Sequence, residues 1–389
     1  MVGLAEVPWR VQEALKQRHP AWRRPPSAGL RILHPSNLTS HRRFACDNSD
    51  IAGMDTVLAR WILAGVAVVG ALVVGGCGDD DDGTRAQPQG PLAEALANVG
   101  GAGEGSLGIG WADPQLVKQS GLRRDVIATA LGPNAGSFVN EAAALRHRFG
   151  LDPLAADQLV SMGGSYAFGM RLDGVDGRGL ARALVADGGR VRRVDGLQVI
   201  EIGDYAVVPE ALLSLGIRGL GAFDALGREL AVLAISDRAR SALLGRGGAL
   251  LDEPIYRAAS ACLGDVVAAR MIPDKLLLSS EVGIEQAAMG VTTDGEVLCV
   301  LGGTPERADQ VAGALENTLA PDARDPVSGE PIGASLVDVD VSQSSYDGVE
   351  VVRAEGRVAG RAQPGFFFGT IARGSLVSLI NGDAETFLP

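Results

Sequence analysis

"VDGLQVIEI" (194–202) and "YDGVEVVRA" (346–354) share one pattern, an Asp-Gly pair followed by alternating apolar and polar residues. Asp and Gly accept the left-handed backbone of a two-residue turn, and a period of two puts the apolar side chains on one face. Each stretch therefore predicts a β-hairpin with one buried side. A second match follows in the same order, "FDALGRELAVLAISD" (223–237) with "FGTIARGSLVSLINGD" (368–383), each reading as an apolar strand that ends on an acidic turn.

Upstream of both hairpins a strand, 166–172 in one case and 296–301 in the other, leads into a helix. The later helix is marked by a capping Thr304, by Pro305 in the first turn, and by Ala308, Val311, Leu315 and Leu319 on one face. In the earlier one Leu180 and Leu184 mark the buried side, and Gly188 and Gly189 close it. The opening strands also match in kind, "SLGIGWADPQL" (106–116) with "VVAARMIPDKL" (266–276).

The same order met twice predicts an α+β fold of two tandem related strand–helix–antiparallel-sheet units, 105–237 and 264–389. Additional helices fall between 113 and 161, and a helical linker covers 238–263. Strands such as "VEVVRA" alternate, whereas all-parallel strands read as continuous apolar runs, so helices are expected to cover one face of the sheets. The pattern leaves open whether the two sheets join.

Towards the N terminus, "VVGALVVGGCGDDDD" (68–82) sets an apolar run against one cysteine and four aspartates. The run at 61–74 suits a signal-peptide hydrophobic region and falls short of the ~20 apolar residues that span a bilayer. Val74-Gly75-Gly76-Cys77 resembles the bacterial lipobox. That resemblance implies that 54–76 is a lipoprotein signal peptide and that Cys77 carries a diacylglyceryl thioether. Two or three acyl chains, at about 0.8 kcal/mol per buried methylene, would hold the protein at the outer face of the cytoplasmic membrane. An uncleaved anchor and an ordinary secretory signal are the alternatives. Residues 1–53 are basic and proline-interrupted, unlike a leader, and are expected to lie upstream of a true start at Met54; the alternative is a cytoplasmic tail. Residues 77–104, rich in Gly, Asp and Pro, read as an acidic tether with one short helical piece.

Residues 1–53 carry eight basic and four acidic side chains and 54–76 one of each, so their removal takes the formal net charge from −12 to −16. Such an acidic surface disfavours nucleic acid as a partner. His19, His34 and His41 lie in the leader, which leaves His147. Cys46 lies there too, so an exported chain keeps Cys262 and Cys299 beside the lipidated Cys77. Two thiols outside the cytoplasm tend to pair, and a disulfide is expected.

"LLDEPIYRAASACLGDVVAARMIP" (250–273) resembles a stretch of actinobacterial surface proteins of unknown function. The residues that carry the likeness are Asp252 and Pro254 in a turn, Tyr256, the alanine-rich helix from Ala258 to Leu263, and the Gly264-Asp265 turn. Only three lysines, Lys16, Lys118 and Lys275, stand beside abundant Arg, Ala and Gly, which suits a high-GC genome. The likeness implies a location and a fold, and no reaction.

No catalytic motif emerges. His147 sits between Arg146 and Arg148 at a helix end, no serine occupies a Gly-x-Ser-x-Gly elbow, and the glycine-rich "GIRGLG" (216–221) lacks a dinucleotide-binding context. Asp173 and Asp176 flank glycine turns, which they serve. No cofactor and no metal site is predicted. Trp111, Phe366, Phe367 and Phe368 are candidate apolar ligand contacts, with core packing as the alternative. The expected function is a membrane-anchored, non-catalytic ectodomain that binds a protein or an envelope polymer. A carrier of lipid or another apolar ligand is the alternative, and a hydrolase without a recognisable motif comes third.

Overall fold

A computed structural model of the chain places the two Asp-Gly hairpins at opposite edges of one twelve-stranded sheet. The structure describes residues 88–101, 108–164, 167–194, 197–201, 222–225, 229–234, 237–277, 283–325, 328–360 and 362–382, all within the unit Asp81–Pro389. The strands are β1 (Gly108–Ala112), β2 (Gln158–Gly164), β3 (Ala167–Asp173), β4 (Arg190–Val194), β5 (Leu197–Glu201), β6 (Ala222–Ala225), β7 (Leu230–Ala234), β8 (Ala268–Pro273), β9 (Gln286–Val291), β10 (Gly295–Leu301), β11 (Leu336–Tyr346) and β12 (Val349–Val358). Their order is β11-β12-β10-β9-β8-β1-β2-β3-β7-β6-β5-β4, antiparallel at every pairing.

Local sequence accounts for the hairpins. Asp347 and Gly348 adopt φ of 55° and 77°, the two left-handed residues of a type I′ turn between β11 and β12. In the other hairpin Val194 pairs with Leu197, and the two turn residues between them lie outside the described residues. The opening strands β1 and β8 pair with each other, Gly110 opposite Arg270, so the sheet is continuous.

The helices are α1 (Pro91–Ala97), α2 (Pro114–Gln119), α3 (Arg124–Asn140), α4 (Ala142–Phe149), α5 (Gly177–Ala186), α6 (Asp237–Leu243), α7 (Pro254–Leu263), α8 (Pro305–Thr318), α9 (Phe366–Ala372) and α10 (Leu376–Asn381). In α8 the Thr304 hydroxyl accepts from the Arg307 N–H, and Ala308, Val311 and Leu315 are buried, as its spacing predicts. Leu180 and Leu184 are the buried leucines of α5.

Two expectations fail. Helices cover both faces of the sheet: α2–α5 and α8–α10 pack on one side, α1, α6 and α7 on the other. The reason lies in the central strands. All of β10, "GEVLCVL", is buried, with Leu298 and Val300 in one core and Val297, Cys299 and Leu301 in the other. Burying apolar side chains on both faces, at about 1.5–3 kcal/mol for each large one, demands two covering layers whatever the strand direction. The second failure is 368–383, which forms the helices α9 and α10 instead of a strand. Buried Leu376, Leu379 and Ile380 follow helical spacing, and Gly374 and Gly382, with φ of 71° and 74°, end the two helices.

Candidate functional site

The site starts from a missing side chain. A Cβ at Gly110 of β1 would lie 2.5 Å from the Ala130 carbonyl oxygen and 2.5 Å from Ser161 Oγ, so only glycine lets α3 cross the sheet this closely. Directly above, α3 breaks. Gly132 takes φ of 83°, which a helix does not contain, and Pro133 starts the second segment. The carbonyls at the end of the first segment lose helical partners. Ser161 Oγ donates to the Leu131 carbonyl at 2.8 Å, and Arg270 Nη1 to that of Thr129 at 3.5 Å.

Arg270 reaches the break because it stands opposite Gly110 in register and points to the same face. Its guanidinium passes beneath Gly132, 3.4 Å from where that residue's Cβ would be. It meets no carboxylate among the described residues. Burial pulls its pKa below the ordinary arginine value, but a guanidinium stays protonated. Around it lies a cavity of about 440 Å³, floored by Gly108, Gly110 and Gly163, with Ser161 and Asn134 as its other polar side chains. Phe168, Ile272, Leu276 and Ile371 make an apolar wall. The arrangement offers a fixed cation in a hollow that is polar at one part of its lining and apolar at another.

Two further hollows lie among the described residues. One of about 290 Å³ lies between α8 and α10 and is lined by Phe366 together with Asp325, Arg324 and Thr370. The other, about 680 Å³, is an open groove along α5 and the β4–β5 edge, bordered by Arg178, Arg182, Val185 and Val191.

The residues proposed as apolar ligand contacts are not brought together. Trp111 is buried in the core under α1 and α7, and its Nε1 has no hydrogen-bond partner. Phe367 and Phe368 are buried in the core on the opposite face of the sheet. Of the four, the partly buried Phe366 borders a hollow among the described residues, with the Arg373 guanidinium 6.0 Å from its ring centre. What organises the phenylalanines is Glu296 of β10, 2% exposed. Its Oε1 accepts from the N–H of Gly365 (2.6 Å) and Phe366 (2.9 Å), and its Oε2 from that of Phe367 (3.0 Å). A carboxylate of the sheet thus caps the N terminus of α9, which lies on the same face. Burial raises the Glu296 carboxyl above its ordinary value, and the three backbone donors hold part of that rise back.

Cys262 of α7 and Cys299 of β10 are joined, Sγ to Sγ at 2.03 Å, on the face away from Arg270. The lipidation candidate Cys77, the segments 1–53 and 54–76, half of the tether and the glycine-rich 216–221 lie outside the described residues, and the described half of the tether, 88–101, carries α1, whose Leu92 and Leu96 are buried in the core. His147 is exposed in the last turn of α4. Asp173 pairs with Arg171 at 2.9 Å, and Asp176 caps α5 through the Gly179 N–H. Among the described residues, no three His, Cys, Asp or Glu side chains gather as metal ligands, and no helix is long and apolar enough to cross a membrane.

Arg270 and Glu296 escaped the sequence reasoning, although each left a signal. Each is the one charged residue inside an otherwise apolar strand, "AARMIP" and "GEVLCVL". No known protein family, no curated protein and no solved structure matches this chain.

Proposed function

We propose that the chain is an extracytoplasmic lipoprotein, anchored through an acylated Cys77, whose sheet domain binds a ligand or partner without transforming it. The observation that carries the location is the Cys262–Cys299 disulfide, since such bonds persist in oxidising compartments. It agrees with the lipobox at 74–77 and with the acidic tether that follows. Phe367 and Phe368 fill the core, which supports a binding domain over a carrier built on those rings. The carrier reading keeps support from a different place, the cavity at Arg270. A hydrolase draws no support there, because Ser161 gives its hydroxyl proton to a backbone carbonyl and His147 stands exposed on α4.

The domain is read as two related units. From the β1–β8 junction outward the order is β1-β2-β3-β7-β6 on one side and β8-β9-β10-β12-β11 on the other. In both, a helix, α5 or α8, follows the third strand. On this reading the β11–β12 hairpin corresponds to β6–β7, and the β4–β5 hairpin is an addition to the first unit.

The anchor is tested by replacing Cys77 with Ser in the native host. The variant is expected in the soluble fraction while the wild type sediments with membranes; unchanged fractionation overturns the lipoprotein reading.

A further inference from the structure

We propose that the cavity beneath the α3 break binds an amphiphilic small molecule by its single anionic head, a carboxylate or a phosphate monoester. Arg270 would hold the head, and the wall made by Phe168, Ile272, Leu276 and Ile371 would take the apolar body.

A guanidinium carries five N–H donors in a planar fork. Here one of them makes a single long bond, 3.5 Å to the Thr129 carbonyl, and among the described residues no carboxylate answers the charge. A half-buried cation with no counter-ion among the described residues gives up part of its hydration unanswered, so its retention in an apolar strand needs another reason. The geometry supplies one, since the fork faces a hollow whose 440 Å³ falls in the range of about 300–1,000 Å³ that holds small ligands. A carboxylate or phosphate oxygen pair matches the fork in a bidentate manner. Asn134 adds an amide at the polar end, while the glycine floor leaves room along the sheet. The two other hollows lack this imbalance or this enclosure. The hollow beside Phe366 carries Asp325 as well as Arg324 in its lining, and Asp325 also pairs with Arg373 at 3.3 Å, while the groove on α5 is open to solvent.

The inference rests on reading the domain as a binding module, and it stands apart from the membrane anchor. Calorimetric titration of the full chain with octanoate, octyl phosphate and octanol tests it. At least one of the two anions is expected to saturate a single site, at least tenfold more tightly than octanol, and which of them does so names the head group. Arg270→Gln should weaken that binding at least tenfold, and Arg270→Lys less. Should Arg270→Gln fail to fold by circular dichroism, Ile371→Trp, which fills the hollow and leaves the cation, should abolish the same binding. Equal affinity for octanol, indifference to both substitutions, or no saturable binding of either anion overturns the assignment. Fractionation of Cys77→Ser reports on the anchor alone, so either reading can fail without the other.

Discussion

Arg270 and Glu296 make a matched pair. Each is the one charge in an apolar central strand, and both point to the face covered by α3 and α9. Glu296 is answered in full, by three backbone N–H groups at 2.6–3.0 Å that would otherwise be orphaned at a helix start. Arg270 is answered by one stretched bond and faces a hollow. A buried charge whose partners are all supplied by the chain serves the fold. Arg270, half-buried and given one long bond by the described residues, keeps donors free for a ligand, as proposed above.

That contrast breaks most sharply at Glu296. Glu296→Ala leaves three N–H groups without an acceptor in a buried site, and should lower the unfolding free energy by about 4 kcal/mol in urea titrations. A loss under ~1 kcal/mol would mean that water reaches the α9 terminus. The pH dependence carries a sign as well. With the folded pKa raised, the folded protein holds the Glu296 proton to higher pH than the unfolded chain. The stability linked to that proton is present below the ordinary carboxyl pKa and is lost as pH rises through the folded value. Relative to Glu296→Gln, the wild type should weaken across that window.

A smaller effect is expected on the other face of the sheet. The disulfide closes a loop between residues 37 apart, and replacing both cysteines with alanine should cost about 3 kcal/mol. Because the bond lies across the sheet from Arg270, anion binding to the folded variant should be unchanged. A shifted affinity would show that the two faces are coupled. Arg270→Gln should change stability least, by within ~1 kcal/mol of wild type, since it removes a half-buried charge held by one long bond among the described residues. A loss as large as that of Glu296→Ala would erase the difference between the two charges and make Arg270 a structural cap of the α3 break.

Much of the fold was legible where the determining contacts are near in sequence. The Asp347-Gly348 turn, the Thr304 cap and the buried faces of α5 and α8 follow from residues a few positions apart. The phenylalanine stretch misled because "FFFGTIA" is apolar without a clear period, and its state depends on a carboxylate 70 residues away from Phe366. Coverage of the sheet misled for a related reason. Alternation in β12 describes a strand near the edge, while β9 and β10 in the interior are buried throughout. The candidate site was visible only as an oddity, an arginine among alanines and methionine in β8.

By itself the sequence determined the turns, the caps, the helix faces and the presence of two lone charges in apolar strands, since these depend on backbone preference and spacing within one or two turns of chain. Only the tertiary structure decided that β1 pairs with β8, that Glu296 meets the start of α9, and that Arg270 meets a broken helix and a hollow. Whether a buried charge is satisfied depends on which distant groups packing brings within about 3 Å of it, and no local pattern encodes that.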